Sequence, residues 1–268
     1  MLLALPGLAV AETYSFGVLS QRSPLLTAEY WNPILEHVTR QTGIELRLRS
    51  TRTAPESSAA QARGEYDFVY SNQIFAPAIA PQGYRVLLRP RGAPIRGQFV
   101  TLEGSPLRTL ADLAGREVGF PSRAAFIAYA VPMDALLRQG ISAKPTFGGN
   151  QEGIMGQLKA GRVAAAGVND EVMRQYAARE NLRYRVLWES PLFQNLPIAA
   201  HPRVPDKVAA AVQQAFAGMI DDLEGRRVLA ASAAVLKEKP PLGFTPASPS
   251  DYQNYLDFYR HTLVKDIE

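Results

Sequence analysis

The chain has 268 residues, of which 47% are hydrophobic and 20% are charged, and its formal net charge is +4. These proportions indicate a folded protein with a large core and exclude a disordered chain. The absence of cysteine excludes disulfides, cysteine nucleophiles and thiolate metal sites. Arginine and lysine are dispersed and do not interleave with aromatic residues in a stripe, so we do not expect nucleic acid as a partner.

The first eleven residues are nearly all apolar and end in Ala9-Val10-Ala11. A short apolar run before a small-x-small triplet is typical of a secretory signal and its cleavage site, although the basic start of such a signal is missing. The alternative is a short buried N-terminal element. We interpret residues 1–11 as the remnant of a signal peptide and expect a periplasmic protein.

The next elements alternate between strand and helix. Residues 14–19 predict a strand, residues 27–42 a helix ended by Gly43, and residues 44–48 a second strand. This β-α-β start predicts two parallel strands joined by a right-handed crossover.

A helix-glycine-strand unit then occurs twice. In the first copy, a helix over residues 56–63 ends at Gly64, and a strand over 66–70 leads to Ser71 and Asn72. In the second, a helix over 151–160 ends at Gly161, and a strand over 163–168 leads to Asn169 and Asp170. The pair predicts two α/β lobes that face each other, although any α/β protein can contain several such units.

The remaining pattern completes the two predicted lobes. Further strands are predicted over residues 84–89, 98–102, 117–120, 144–147 and 184–188. Further helices are predicted over residues 73–80, 107–113, 124–138 (with a kink at Pro132), 172–179, 205–223, 225–234 and 252–264. Strands 98–102 and 184–188 are the candidates for crossing between lobes. Lobe I is therefore predicted to comprise residues 12–97 and 191–268, and lobe II residues 98–190.

The sequence offers no catalytic constellation. The three histidines, His37, His201 and His261, lack the spacing of metal ligands. No nucleophile elbow, phosphate loop or dinucleotide-binding glycine motif occurs. We therefore predict no catalytic residues, no metal and no cofactor.

Polar residues at predicted strand ends and helix starts are the candidates for binding a ligand. In open α/β sheets, ligands bind beyond the carboxyl ends of the strands, and the free amides of a helix N-terminus favour anions. Each residue alone is also a candidate for a helix cap or a turn, and recurrence in both halves favours binding. The candidates are Ser20, Arg22, Tyr70, Ser71, Asn72, Gln98, Ser122, Arg123, Asn150, Gln151, Asn169, Asp170 and Gln194.

Several short motifs occur in a family-specific order: Phe16-Gly17-Val18, Trp31-Asn32-Pro33-Ile34-Leu35, Gly64-x-x-Asp67-Phe68, residues 110–116 and Ser190-Pro191-Leu192. With them the chain resembles the phosphate/phosphite/phosphonate (PhnD-like) periplasmic solute-binding proteins of ABC transporters, over nearly its whole mature length. The resemblance implies a type II periplasmic-binding-protein fold, in which two crossing strands join two α/β lobes around a ligand cleft. It also implies a monomer that closes around its ligand and has no enzymatic activity.

The chain differs from the family at the positions that bind the anion in the family. The Ser/Thr-rich turn of the family corresponds to residues 122–128, which read Ser-Arg-Ala-Ala-Phe-Ile-Ala, and a family histidine corresponds to Asn150. Neutral or apolar groups cannot replace charge-assisted contacts to a phosphonate. We expect a small anion of the oxyanion or phosphonate class, with Arg123 and a helix N-terminus as its contacts, and the departure opposes ordinary phosphonate binding.

The resemblance implies an ABC permease as the membrane partner. A periplasmic sensory subunit for a histidine kinase is the alternative, because proteins of this family also serve in signalling. Enzymes of small-molecule cofactor biosynthesis share the fold and form a second alternative. The predicted export and the lack of an acid/base cluster argue against the enzyme.

Overall fold

The structure is a computed structural model that describes residues 13–267. The predicted signal remnant lies outside these residues. Within them, none of the helices has the length and apolar character needed to cross a membrane.

The first sheet is mixed and has the order β11-β4-β10-β3-β1-β2. Its strands are β1 (Thr13–Val18), β2 (Glu45–Arg49), β3 (Phe68–Tyr70), β4 (Arg85–Pro90), β10 (Ile198–Ala200) and β11 (Phe244–Pro246). β1 is parallel to both β2 and β3, as the β-α-β pattern predicts, whereas β10 runs antiparallel between β3 and β4. The carboxyl ends of β1 and β3 therefore lie side by side.

The second sheet is also mixed and has the order β7-β6-β8-β5-β9. Its strands are β5 (Gly97–Leu102), β6 (Glu117–Phe120), β7 (Lys144–Phe147), β8 (Ala165–Asn169) and β9 (Tyr184–Glu189). β6 is parallel to β7 and β8, and β5 is antiparallel to β8 and β9.

Eight helices pack against the two sheets in the described part of the chain. They are α1 (Pro24–Thr42), α2 (Ala54–Ala62), α3 (Val131–Arg138), α4 (Gln151–Lys159), α5 (Asp170–Glu180), α6 (Asp206–Gly218), α7 (Leu223–Leu236) and α8 (Gln253–His261). On the first sheet, Phe16 and Trp31 are buried with their ring centroids 5.0 Å apart. On the second sheet, Phe99 and Phe120 are fully buried with their ring centroids 5.9 Å apart. The fold class predicted from the sequence is confirmed.

Both helix-glycine-strand units are present. Gly64 and Gly161 have φ angles of 65° and 70°, in the left-handed region that glycine adopts without steric cost. Each lets the chain leave a helix, α2 or α4, and turn into a buried strand, β3 or β8. The glycines therefore set the direction in which both strands approach the region between the sheets.

The structure corrects several predicted elements. The helix predicted over residues 124–138 is a π-helical turn (Phe126–Ala130) followed by α3. Strands β10 and β11 were not predicted, because three residues carry too little alternation to be recognised. The strands predicted to cross between lobes, β5 and β9, are neighbours within the second sheet.

The two segments that join the sheets run side by side. Ile95 and Phe193, one on each segment, exchange two backbone N–H···O bonds of 2.8 Å and are buried. The predicted lobe boundaries stay a prediction.

Asp67, which directly precedes β3, links β3 to β1 through hydrogen bonds. Its carboxylate accepts hydrogen bonds from the Ser15 amide at 2.8 Å and hydroxyl at 2.7 Å, and from Arg203 at 2.7 Å. Burial alone would raise the pKa of Asp67, but the bonds from Ser15 and Arg203 together hold it below its ordinary value. The ionised form therefore stabilises the fold.

We predict that Asp67→Asn lowers the free energy of unfolding by about 2 kcal/mol at pH 7, the range for hydrogen bonds to a charged group. Because the folded-state pKa is depressed, this stabilisation is present above the unfolded pKa of about 3.9 and is lost as the pH falls below it. The difference in the free energy of unfolding between wild type and variant, measured by denaturant titration, should shrink between pH 5 and pH 3.

Asp221→Asn is the matched control, since the Asp221 side chain is exposed. A gap between wild type and Asp67→Asn that stays constant down to pH 3 would contradict the assigned role.

Candidate functional site

Two cavities lie between the sheets at the carboxyl ends of β1, β3 and β8. The apolar cavity is lined by Leu19, Ser20, Gln21, Ala54, Asn72, Pro121, Ala125, Phe126, Ile127, Ala128, Gln151 and Asn169. The acidic cavity is lined by Val18, Leu19, Gln21, Arg22, Leu26, Thr27, Tyr30, Trp31, Tyr70, Pro90, Asn169, Glu171, Val172, Gln175, Asn195, Leu236 and Glu238. Leu19, Gln21 and Asn169 belong to both, so the cavities adjoin.

Both cavities are small in this structure. The centre of a water-sized sphere can move through about 20 Å³ of the apolar cavity and about 40 Å³ of the acidic cavity. One water needs about 10–15 Å³ by this measure, so each holds a few waters or one small chemical group. The sheets are therefore closed on each other, and a larger solute requires them to separate.

Direct hydrogen bonds hold the two sheets together at this edge. The Ala54 amide donates to the Gly149 carbonyl at 2.9 Å, and the Gln73 side-chain amide donates to the Ala124 carbonyl at 2.9 Å. The Arg22 guanidinium donates to the Gln175 side-chain oxygen at 2.6 Å. Each bond joins an element of the first sheet to one of the second, so the closed arrangement is stabilised by the chain itself.

The turn that follows β6 is apolar and belongs to an aromatic cluster. Phe126 is buried and stacks on Tyr255 of α8 with ring centroids 4.3 Å apart, and it also contacts Phe193 and Phe258 at 5.1 Å and 5.0 Å. Phe126 thus fixes the turn against the C-terminal helix and also lines the apolar cavity.

Six of the predicted site residues line the cavities. They are Ser20, Asn72, Gln151 and Asn169 in the apolar cavity, with Asn169 also facing the acidic one, and Arg22 and Tyr70 in the acidic cavity.

Hydrogen bonds position the members of this group. The Ser20 hydroxyl donates to the Thr51 carbonyl at 2.8 Å, and the Gln151 side chain accepts from the Asn169 amide at 3.0 Å. Asn169 caps α5 by accepting from the amides of Glu171 and Val172. The side-chain oxygen of Asn72 is buried without a partner in the described chain, which leaves it available to a ligand.

The other predicted residues do not line either cavity. They are Ser71, Gln98, Ser122, Arg123, Asn150, Asp170 and Gln194.

Local structural roles account for four of these residues. Ser71 caps the 3-10 turn Asn72–Phe75, and Asn150 caps α4. Asp170 accepts from the Arg96 amide at 3.0 Å, and burial raises its pKa. Gln98 in β5 donates to Glu189 at 3.4 Å. For Ser71 and Asn150 the cap alternative describes the observed contacts, whereas Asp170 and Gln98 make hydrogen bonds to residues distant in the sequence.

Arg123 lies apart from the cavities. Its guanidinium pairs with Asp266 at 2.8 Å and sits 4.6 Å from the centre of the Phe147 ring. Among the described residues that line the two cavities, Arg22 is the single cationic side chain. Positive charge therefore reaches the cavities from the loop after β1 and not from the turn after β6.

Sequence reasoning missed two polar residues of the cavities, Gln21 and Glu238. Gln21 follows the predicted site residue Ser20, so a wider window at that strand end would have included it. Glu238 comes just after α7, and no local pattern connects it with the strand ends.

Electrostatics distinguish the acidic cavity from its neighbour. The Glu171 carboxylate accepts from the Asn195 side chain at 2.8 Å, and Glu238 shares a hydrogen bond with Tyr30. Burial, and then the charge of Glu171, raise the pKa of Glu238. Two carboxylates and one guanidinium therefore face one small space.

One side-chain group has the composition of a metal site. His37, Asp222 and Glu224 place potential ligand atoms within 4.8 Å of one another. Glu224 is paired with Arg40 at 2.6 Å, and Asp222 caps α7 by accepting from the Gly225 amide. A bound cation would have to compete with Arg40, and this cluster lines neither cavity.

A family model described as "ABC transporter, phosphonate, periplasmic substrate-binding protein" matches residues 16–252. No curated protein matches the sequence.

Solved structures match the fold at low identity. A binding protein component of an ABC phosphonate transporter from Pseudomonas aeruginosa is 16% identical, with 92% of this chain and 85% of that chain covered and a TM-score of 0.79. PhnD1 from Prochlorococcus marinus, in complex with methylphosphonate, is 13% identical. The match covers 93% of this chain and 98% of that chain, with a TM-score of 0.78. XAC2383 from Xanthomonas citri, bound to chloride ion, is 16% identical. The match covers 92% of this chain and 96% of that chain, with a TM-score of 0.71.

We predict that Phe126→Ala lowers the free energy of unfolding by about 3–5 kcal/mol, the cost of removing a buried phenylalanine. The cavity left beside Tyr255 would also loosen the turn after β6. Urea denaturation measures the loss, and Leu137→Ala is the control because Leu137 is 43% exposed. A loss below 1 kcal/mol would show that the turn is held without the aromatic cluster.

Proposed function

Because the chain belongs to the phosphonate-binding family of periplasmic substrate-binding proteins of ABC transporters, we propose that it binds a small polar solute between its two sheets. The solute-loaded, closed form is then presented to an ABC permease. The observation that carries this proposal is the pair of adjoining cavities at facing strand ends, lined by polar side chains of both sheets.

Binding is coupled to hinge closure in this proposal. The predicted lobes, residues 12–97 with 191–268 and residues 98–190, would separate by bending of the two joining segments around Ile95 and Phe193. A solute that touches both lobes favours the closed state, because it has contacts there that the open state lacks. The direct hydrogen bonds between the sheets support a closed form that is already stable before solute arrives.

The solute proposed for this chain differs from a simple phosphonate dianion. Methylphosphonate is bound by PhnD1 of Prochlorococcus marinus, whereas here the cavities combine a single guanidinium with two carboxylates and an apolar turn. A dianion would be repelled by Glu171 and Glu238 and would find little compensating charge. The anionic solute expected from the resemblance therefore stays a prediction, and a solute with a lower negative charge is the better match.

We expect a thermal-shift screen of oxyanions, phosphonates, sulfonates, organic acids, amino acids and amines to reveal at least one stabilising solute. Stabilisation should grow with concentration and reach about 2.7 kcal/mol at 100 times the dissociation constant. Small-angle scattering with and without that solute tests closure. If no class of compound stabilises the protein, or if a compound is turned over, the proposal fails.

We expect Asn72→Ala to weaken binding of that solute at least tenfold with little loss of stability in the free protein, because the buried oxygen it removes has no partner and the side-chain nitrogen makes only a long 3.5 Å bond to the Tyr255 hydroxyl. Asn169→Ala should weaken binding too, and it should also cost about 1 kcal/mol of stability through loss of the α5 cap. Asn32→Ala on the exposed side of α1 is the control. Titration calorimetry and melting curves measure both quantities, and unchanged affinity in both cavity variants would remove these residues from the site.

A further inference from the structure

The acidic cavity contains a carboxylate with no cationic partner. In the described part of the chain, no arginine or lysine nitrogen lies within ion-pair distance of Glu238, which is partly buried just beyond the end of α7. A desolvated carboxylate without a positive partner is unfavourable unless it is neutralised or a ligand supplies the charge. The hydroxyl of Tyr30 supplies a hydrogen bond but no charge.

The second carboxylate comes from the opposite sheet. Glu171 lies in the first turn of α5, after the second-sheet strand β8, whereas Glu238 follows α7, which packs against α1, the helix between β1 and β2 of the first sheet. Arg174 lies 3.9 Å from Glu171 and Arg22 lines the cavity, yet burial and Glu171 together still raise the pKa of Glu238. Closing the sheets thus brings two negative groups together.

Unpartnered polar groups point to a missing ligand at the same place. Gln21 is 8% exposed and lines both cavities, and its carboxamide has no hydrogen-bond partner within residues 13–267. The Nε atom of Arg22 is likewise buried without a partner among the described residues. Buried polar side chains are normally paired, so these groups indicate contacts that a bound molecule would complete.

The remaining wall of the cavity is aromatic. Trp31 lies with its ring centroid 4.8 Å from that of Tyr70 and 5.3 Å from that of Tyr30. Aromatic rings attract organic cations through their π-electrons, particularly in a desolvated space. The space is also the size of one small group, as an ammonium or guanidinium head would need.

We propose that the acidic cavity binds the ammonium or guanidinium head of the solute, between Glu171 of one sheet and Glu238 of the other. The inference rests on the proposed function and specifies its substrate class as an amine-bearing or guanidinium-bearing molecule, either a cation or a zwitterion. The cation would relieve the repulsion that opposes closure, so it binds the closed state better than the open one. Arg22 and Gln21 are available for an acidic or polar group on the same molecule.

The test compares ligands that differ only in the charged head. Titration calorimetry on the full chain at pH 7.5 would use putrescine against 1,4-butanediol and arginine against citrulline, with methylphosphonate and succinate as anions. We expect binding of putrescine or arginine at least tenfold tighter than that of its uncharged counterpart.

Two neutral variants locate the site. Glu238→Gln and Glu171→Gln should each weaken binding of the responsive amine at least tenfold, whereas Glu36→Gln, an exposed charge on α1, should leave it unchanged. Melting curves of the free proteins provide the second readout, since Glu238→Gln removes a repelled carboxylate and should leave the melting temperature equal or higher. A purely structural role would lower it.

The outcomes separate this inference from the proposed function. Binding of an anion with no response to either amine overturns the inference and leaves the proposed function standing. Amine binding that survives both variants also overturns it, because the head group then lies elsewhere. Failure of every solute class in the wider screen overturns both.

Discussion

The structure depends on one constraint, which is that polar groups losing water when the two sheets meet must find new partners. Backbone and side-chain bonds meet this requirement along most of the contact, as between Ala54 and Gly149 and between Gln73 and Ala124. Two buried atoms that remain unpaired among the described residues, the Asn72 side-chain oxygen and the Arg22 Nε, belong to residues that line the cavities. The closing surface is therefore largely satisfied by the chain and incomplete where a solute is proposed to bind.

The two cavities differ in how they affect the contact between the two sheets. The apolar cavity is closed by the turn after β6, which Phe126 ties to the aromatic residues of α8. The acidic cavity keeps charge in a small space and places carboxylates from both sheets within reach of each other. Hydrophobic contact thus stabilises closure on one side, while on the other side the two carboxylates oppose closure and a bound cation, as proposed above, would favour it.

Family membership and site chemistry carry different information here. The order of short motifs along the chain specifies the scaffold, since these motifs set helix ends and strand directions. The proposed ligand contacts are a small set of side chains at strand tips, and such side chains can change while the scaffold stays the same. The turn at residues 122–128 is mostly apolar, and Arg123 lies against Asp266 and Phe147.

The sequence by itself determined the two-sheet fold, the glycine turns at Gly64 and Gly161 and the strand tips that carry Asn72 and Asn169. These features follow from periodicity and backbone preference, which act over a few neighbouring residues. Only the tertiary structure decided which polar tips face a cavity and which cap a helix, as Asn150 does. It alone brought Glu238 to Glu171 and Tyr30, because packing of α7 against α1 joins residues that no local pattern relates.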